Sequence, residues 1–315
     1  MLSQFLCVNE DKLLDLLKDG AIAYVCQRMK IPKKNSLLGY RIVYKVNSQL
    51  LKSIHKVLYK YLNEVYEAPE CVHGFVPGRS TKTNAAEHLG KKKVFKVDIH
   101  EFFDSIRETT ITEAFHGFGC RSYFAAHLAR ITTINGRLAQ GFNTSPVLAN
   151  IVFKPVDEQL NSICNQYRCK YTRYADDITI STDDELPLIG QIETILSNGG
   201  FRRNLSKEKI MFRGEKQYVT GLTVFDHKYP RVPKRFKRRI RLQLYYLKKF
   251  GCKSYIMREI GISEYDAEND YEKAQMLHDH QFMLKCRIKG WIDYVNSIEP
   301  LLARRYYDTY NAIEW

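Results

Sequence analysis

The chain has 315 residues, enough for a large core and about two or three subdomains, and its 49 Lys and Arg against 35 Asp and Glu give a formal net charge of +14. A hydrophobic content of 44% excludes a disordered chain, and no apolar run approaches membrane-span length. The cysteines at 7, 26, 71, 120, 164, 169, 252 and 286 contain no C-x-x-C pair, which sets zinc aside, while the positive balance points to a polyanionic partner.

Residues 2–30 read as helical, with Leu13, Leu14, Leu16 and Leu17 among charged spacers. Glu10, Asp11, Lys12, Asp15 and Lys18 break up any secretory leader, so a cytosolic protein with reduced thiols and no membrane partner is expected. Tyr40–Tyr44 reads as a strand. Leu51, Ile54, Leu58, Tyr61, Leu62 and Val65 form one stripe of an amphipathic helix. The stretch His73-Gly74-Phe75-Val76-Pro77-Gly78-Arg79-Ser80 is a loop, followed by a helix through His88. Lys91-Lys92-Lys93 leads into an apolar strand ending at Asp98.

Helices are expected over 109–118 and 123–132, and again from Ser145-Pro146 through Leu160, since Pro is tolerated in a first turn. Two short β-patterned runs, Cys169–Arg173 and Ile178–Ser181, flank Tyr174-Ala175-Asp176-Asp177. A helix near 188–196 follows, then a Gly199-Gly200 turn, a strand carrying the polar run 204–209, and a strand over Tyr218–Val224. From Arg231 the texture becomes basic and helical to the end, with a subdomain boundary near Pro230-Arg231. The 21 Tyr and 16 Phe, interleaved with Lys and Arg, offer surfaces on which bases stack.

The chemistry centres on the acids. Two adjacent carboxylates on a tight turn repel each other, and a hard divalent cation relieves that repulsion through oxygen ligands. Asp98, at the end of another strand, would complete a two-metal phosphoryl-transfer centre if the two strand ends lie side by side. Alone, Asp98 reads first as a strand-terminating turn residue, and adjacent acids are common in surface turns. Together, with Gln140-Gly141 and Ser145-Pro146 between them, they resemble the sequence blocks of reverse transcriptases. Asn84-Ala85-Ala86-Glu87-His88 resembles the N-A-x-x-H element of retron reverse transcriptases, Val219-Thr220-Gly221 resembles their V-T-G element, and Arg287-Ile288-Lys289-Gly290-Trp291 resembles their C-terminal region.

That resemblance, over roughly residues 35–295, implies an α/β right-hand polymerase. Residues 1–92 would form N-terminal helices and fingers, 93–230 the palm with fingers partly interleaved, and 231–315 a basic, mostly helical thumb. It implies an RNA-directed DNA polymerase using deoxynucleoside triphosphates and two Mg²⁺ ions held by Asp98, Asp176, Asp177 and the Ile99 carbonyl. The template would be a structured partner noncoding RNA, primed from an internal guanosine 2′-hydroxyl, giving branched RNA-linked DNA in antiphage defence beside an effector protein.

By the same resemblance Arg41 grips the triphosphate, with Lys34 or Lys33 as a second cation. Phe103, or the adjacent Phe102, is the sugar gate. Gln140 and Gly141 meet the incoming nucleotide, and Lys207, or Lys209, protonates the leaving pyrophosphate. Arg203 stands where the family usually has an apolar residue. Asn84 and His88, four apart on one helical face, either contact the RNA or make a structural hydrogen bond. Val219, Thr220 and Gly221 lie near the primer end or form a strand with a bulge. Lys234, Arg235, Arg238 and Arg239 mark a nucleic-acid track, salt-sensitive and blind to sequence, and Trp291 anchors the thumb core. A group II intron-type enzyme and a catalytically idle RNA-binding scaffold are the rival readings. The short chain, with no maturase or endonuclease extension after the thumb, is expected to disfavour the first, and the full acidic set disfavours the second.

Overall fold

Two-residue alternation builds the central sheet. A computed structural model of the protein describes residues 2–33, 39–186 and 189–315, and the chain forms two compact units, Met1–Thr220 and Gly221–Trp315. The first unit opens with α1 (Leu2–Phe5), α2 (Glu10–Leu16), α3 (Ala21–Tyr24), β1 (Cys26–Pro32), β2 (Tyr40–Val46), α4 (Gln49–Val65) and α5 (Thr81–Ala86). There follow β3 (Lys93–Asp98), α6 (Phe102–Ser105), α7 (Glu108–Gly117), α8 (Ser122–Arg130), β4 (Thr133–Ile134), β5 (Arg137–Leu138) and α9 (Ser145–Gln166). It closes with β6 (Lys170–Tyr174), β7 (Asp177–Thr182), α10 (Ile189–Asn198), a 3-10 turn at Leu205–Lys207, β8 (Lys209–Phe212) and β9 (Tyr218–Val219).

The local signals explain most helices. Ser48 caps α4 by accepting from the Leu51 amide, and Leu51, Ile54, Leu58 and Leu62 bury one stripe. Ser80 and Thr83 close a capping box on α5. Three stretches differ from expectation. Residues 26–30 are strand, not helix, because β1 pairs with β2 from Cys26↔Val46 to Pro32↔Tyr40, and a partner beyond the local window outweighs helical periodicity. Within the run 204–209, Leu205–Lys207 form a 3-10 turn and only Lys209 belongs to a strand, β8. The run 218–224 is interrupted where Thr220 takes φ 44° and Gly221 φ 82°.

Strands β6, β7, β3 and β8 form one antiparallel sheet in that order. Alternation sends Phe95, Val97, Ile178, Ile180, Tyr171 and Arg173 to one face and Asp98, Asp177, Thr179, Ser181 and Thr172 to the other. The first face is covered by α9. Arg173 and Asp157 are wholly buried there, paired at 2.7 and 2.8 Å, and Tyr171 donates to Asp157 at 2.7 Å. Burial works against the Arg173 charge, but Asp157 outweighs it and raises the guanidinium above its usual value. The same guanidinium donates to Asn150 Oδ1 (3.1 Å) and the Ala175 carbonyl (3.0 Å), and lies 4.6 Å from the Phe153 ring centroid.

The opposite face carries a polar seam. His88, fully buried, bonds Ser181 Oγ and Thr172 Oγ1, each at 2.7 Å. Burial first, then the neighbouring His73, Lys170 and Lys91, push its pKa down to about 3.

The second unit contains β10 (Leu222–Thr223), α11 (Lys234–Phe250), α12 (Cys252–Ile260), α13 (Glu264–Asn269), α14 (Tyr271–Ile298) and α15 (Pro300–Asn311). Ile240, Leu244 and Leu247 of α11, Leu284, Ile288, Ile292 and Val295 of α14, and Tyr306 and Tyr310 of α15 are buried. Among the described residues no helix is long and apolar enough to cross a membrane.

Two outcomes test this packing. Asp157→Asn leaves the Arg173 charge buried without its counter-ion and should cost about 3–5 kcal/mol in urea unfolding; a cost under about 1 kcal/mol would contradict a sealed pair. His55 and His73 are also held neutral by burial, both pushed down to about 4. Their folded pKa values, like that of His88, lie below the ordinary 6.5, so the unfolded chain binds more protons. Stability is therefore full above about pH 6.5 and falls as pH drops toward about 4. His88→Gln should flatten that slope; an unchanged slope would show that His88 already titrates normally.

Candidate active site

The acids converge because of strand register. Asp98 lies opposite Asp177 in the β3–β7 pair. The Ile99 amide donates to the Asp176 carbonyl at 2.9 Å, which puts Asp98 and Asp177 at a non-hydrogen-bonded position, the closer kind, with Cα atoms about 4.5 Å apart. Ala175 turns the hairpin at φ 57°, a conformation uncommon for a side-chain-bearing residue, and Arg173 holds its carbonyl. Beneath it Gly74 is required, since a Cβ there would run into the Ala175 amide.

Charge at the site is finely opposed. Burial raises the Asp176 carboxyl, and Asp177 and then Asp98 push it further up while Lys207 pulls it down. Lys207 Nζ lies 2.9 and 3.0 Å from the two Asp98 oxygens, and Asn204 Nδ2 donates to the same carboxylate at 3.1 Å. Lys96 Nζ is 3.6 Å from Asp177. Of the two candidate lysines it is Lys207 that meets the acids; Lys209 pairs across β8 with Lys96 and is exposed. The unusual Arg203 braces this loop, bonding Glu208 at 2.8 and 2.9 Å and also Glu193 of α10.

Among the described residues no three His, Cys, Asp or Glu are gathered into a metal cluster; the Asp98 carboxylate is taken up by Lys207 and Asn204. The donors nevertheless fit a hard divalent ion in kind. They are all oxygens, carried by Asp98, Asp176 and Asp177 with the Ile99 backbone beside them, and the mutual repulsion felt at Asp176 is what such a cation offsets.

A cavity of about 360 Å³ is lined by Arg41, Phe75, Phe103, Gln140, Gly141 and Pro146 among others, and its Phe75 directly follows Gly74, whose backbone lies against the Ala175 amide of the acidic hairpin. Gly141 has φ 106°, and a Cβ there would strike the Tyr44 carbonyl. The Tyr44 amide donates to the Gln140 carbonyl at 2.7 Å, joining β2 to this loop. Gln140 Nε2 contacts Asp104 Oδ2 at 3.4 Å. Phe102 is buried against Phe153 and Phe201, with centroids 5.5 and 5.8 Å away, so Phe103 is the one of the pair that faces the cavity. Lys33 is exposed, and Lys34 lies outside the described residues.

Asn84, His88 and Val219 are wholly buried. They therefore present no side-chain surface to nucleic acid, and His88 makes the structural hydrogen bonds described above. Both polar atoms of the Asn84 amide are enclosed without a protein partner. Thr220 Oγ1 donates to the Thr81 carbonyl at 2.9 Å, fastening the first turn of α5. On α11, Lys234, Arg235, Arg238 and Arg239 are exposed. Arg239 lies 4.5 Å over Trp291, which packs edge-on to Phe236 at 6.0 Å, while Lys237 is drawn to Glu299 at 3.0 Å.

Sequence reasoning missed the Arg173–Asp157–Asn150 network and Phe75. Asn150 and Asp157 stand seven apart on α9 and so share a face, a signal that a buried cation was due. Nothing local marked Phe75.

A family profile described as reverse transcriptase (RNA-dependent DNA polymerase) matches residues 31–234. The retron Ec73 reverse transcriptase of Escherichia coli is 31% identical over 95% of this chain and 94% of its own. The retron Mx65 reverse transcriptase of Myxococcus xanthus is 32% identical over 62% of this chain and 50% of its own, and the retron Ec86 reverse transcriptase of E. coli is 26% identical over 63% and 62%. This chain thus spans about half the length of the Myxococcus relatives that it matches. A solved structure of telomerase from Candida albicans aligns with TM-score 0.45 at 13% identity, over 90% of this chain and 58% of that one. With an α/β polymerase fold, and with the family profile spanning most of its length, the chain belongs to the reverse transcriptases, and within them to the retron type.

Proposed function

We propose that this protein copies RNA into DNA at the Asp98–Asp176–Asp177 site and that its template is a structured noncoding RNA partner. The observation that carries the reading is the β3–β7 register, which sets Asp98 against Asp177; a cavity lined by Arg41, Phe103 and Gln140 supports it. Mg²⁺, when bound, would supply a polarised hydroxyl nucleophile and neutralise charge on the leaving pyrophosphate. Asp98, Asp176, Asp177 and the Ile99 carbonyl would hold it.

The remaining roles belong to the chain's own groups. The planar Arg41 fork suits triphosphate oxygens. Gly141 lets the backbone approach the nucleotide, with Gln140 beside it. Phe103, on the cavity wall, would be the group that a ribose 2′-hydroxyl meets. Lys207, which holds the Asp98 carboxylate at 2.9 and 3.0 Å, would donate a proton to the leaving pyrophosphate. Phosphoryl transfer asks chiefly for positioning and charge neutralisation, and this donor set offers both.

The retron relatives support a finer reading. DNA synthesis would start from a guanosine 2′-hydroxyl within the RNA and leave branched RNA-linked DNA, in the cytoplasm, as one part of an antiphage system with an effector protein. The exposed Lys234, Arg235, Arg238 and Arg239 would track phosphates along α11. Residues 1–92, 93–230 and 231–315 would serve as fingers, palm and thumb, the fingers partly interleaved with the palm.

Primer extension on an RNA template with Mg²⁺ tests the chemistry. Asp176→Asn should lower extension by roughly a thousandfold; extension at the wild-type rate would place catalysis elsewhere, and no extension by the wild type would favour an idle scaffold. Nucleic acid purified with the protein from cells carrying its native locus tests the retron role. Debranching enzyme should separate its DNA from its RNA; DNA with free ends from an active enzyme would refute branching.

A further inference from the structure

The loop His73–Gly74–Phe75 carries geometry that the roles above leave unexplained. Phe75 has φ 61°, a left-handed conformation that a bulky side chain adopts only when its surroundings impose it. Its ring is not hidden in the core, being 42% exposed. It lies edge-on to Phe103, with centroids 6.2 Å apart and planes at 61°, and it lines the same cavity as Arg41 and Gln140.

The backbone before the ring is locked to the catalytic hairpin. The His73 and Gly74 amides both donate to the Arg173 carbonyl, at 2.8 and 3.4 Å. Asn150 Nδ2 donates to the Gly74 carbonyl at 2.9 Å, and a Cβ on Gly74 would strike the Ala175 amide. The elements that fix the turn before Asp176 therefore also fix Phe75 in its strained pose. Strain of this kind persists where the surrounding structure over-determines it, and it concentrates at ligand clamps.

We propose that Phe75 is a specificity-determining residue. Its ring forms a second wall of the nucleotide's sugar site and backs Phe103, so that Phe103 cannot swing away from a ribose 2′-hydroxyl. This rests on Phe103 being the sugar gate. A gate discriminates only if it resists displacement. Phe103 sits on α6, a single turn of helix, with the Phe102 ring 5.5 Å and the Phe75 ring 6.2 Å away. Phe102 is fixed in the core, so Phe75 is the partner whose removal gives the gate room to yield.

The test is single-nucleotide incorporation with Mg²⁺ on an RNA template, comparing kcat/KM for a deoxynucleotide and its ribonucleotide. Phe75→Asn removes the ring yet keeps a residue that tolerates left-handed φ. It should lower the selectivity ratio about two- to tenfold, the range an aromatic edge contact carries, through better use of the ribonucleotide. Phe75→Tyr should keep the wild-type ratio, and Phe75→Asn should add nothing in a Phe103→Ala background. An unchanged ratio in Phe75→Asn, with selectivity lost in Phe103→Ala, overturns the inference and leaves the gate assignment standing. Selectivity retained in Phe103→Ala removes the gate and the inference together. Equal loss with both nucleotides also overturns it, because the ring would then act on something other than the sugar. Thermal melting establishes that each variant is folded, and Phe75→Leu provides the same comparison if Phe75→Asn does not fold.

Discussion

The register of β3 against β7 is the constraint on which the site depends. A slip of one residue would send every side chain on β3 to the opposite face. Asp98 would then enter the face covered by α9, and Val97 would stand among the acids. The apolar pattern forbids this, since Phe95 and Val97 have their place on the α9 side and are almost fully buried. Core packing and placement of the carboxylates are thus one decision made by one alternation.

Holding the hairpin costs the molecule a buried ion pair. Desolvating Arg173 and Asp157 is expensive, and two apolar residues of similar volume would fill the same space. The pair instead gives direction: the guanidinium reaches Asp157, Asn150 and the Ala175 carbonyl together. Asn150 passes the restraint on to Gly74, and the loop carries it to Phe75. One charge under the sheet therefore ties the Asp176-Asp177 turn, α9 and the wall of the Phe103 cavity to one another. Such support suits chemistry that depends on positioning.

The N-A-x-x-H and V-T-G elements take on a structural meaning. His88 closes a polar seam behind the hairpin, and Thr220 fastens the start of α5. A buried polar layer with paired hydroxyls sets one register more sharply than an apolar one, because any slip leaves polar groups unpaired. Residues that mark a family can in this way act on the active site from beneath it.

The sequence alone determined the amphipathic α4, the strand ending at Asp98, the hairpin at Asp176-Asp177 and the acids themselves, because each is written in local periodicity or turn chemistry. It also marked Gln140-Gly141 and Arg41 through resemblance. Only the tertiary structure decided that 26–30 is a strand, since its partner β2 lies beyond the local window; that Phe103 and not Phe102 faces the cavity, since the core takes one of two adjacent rings; and that Lys207 and not Lys209 meets Asp98. It alone placed Asn84 and His88 inside the molecule, where the sequence leaves RNA contact and a structural hydrogen bond both open. The physical reason is common to all of these: local sequence states what a residue prefers, but burial and pairing depend on neighbours far away in the chain.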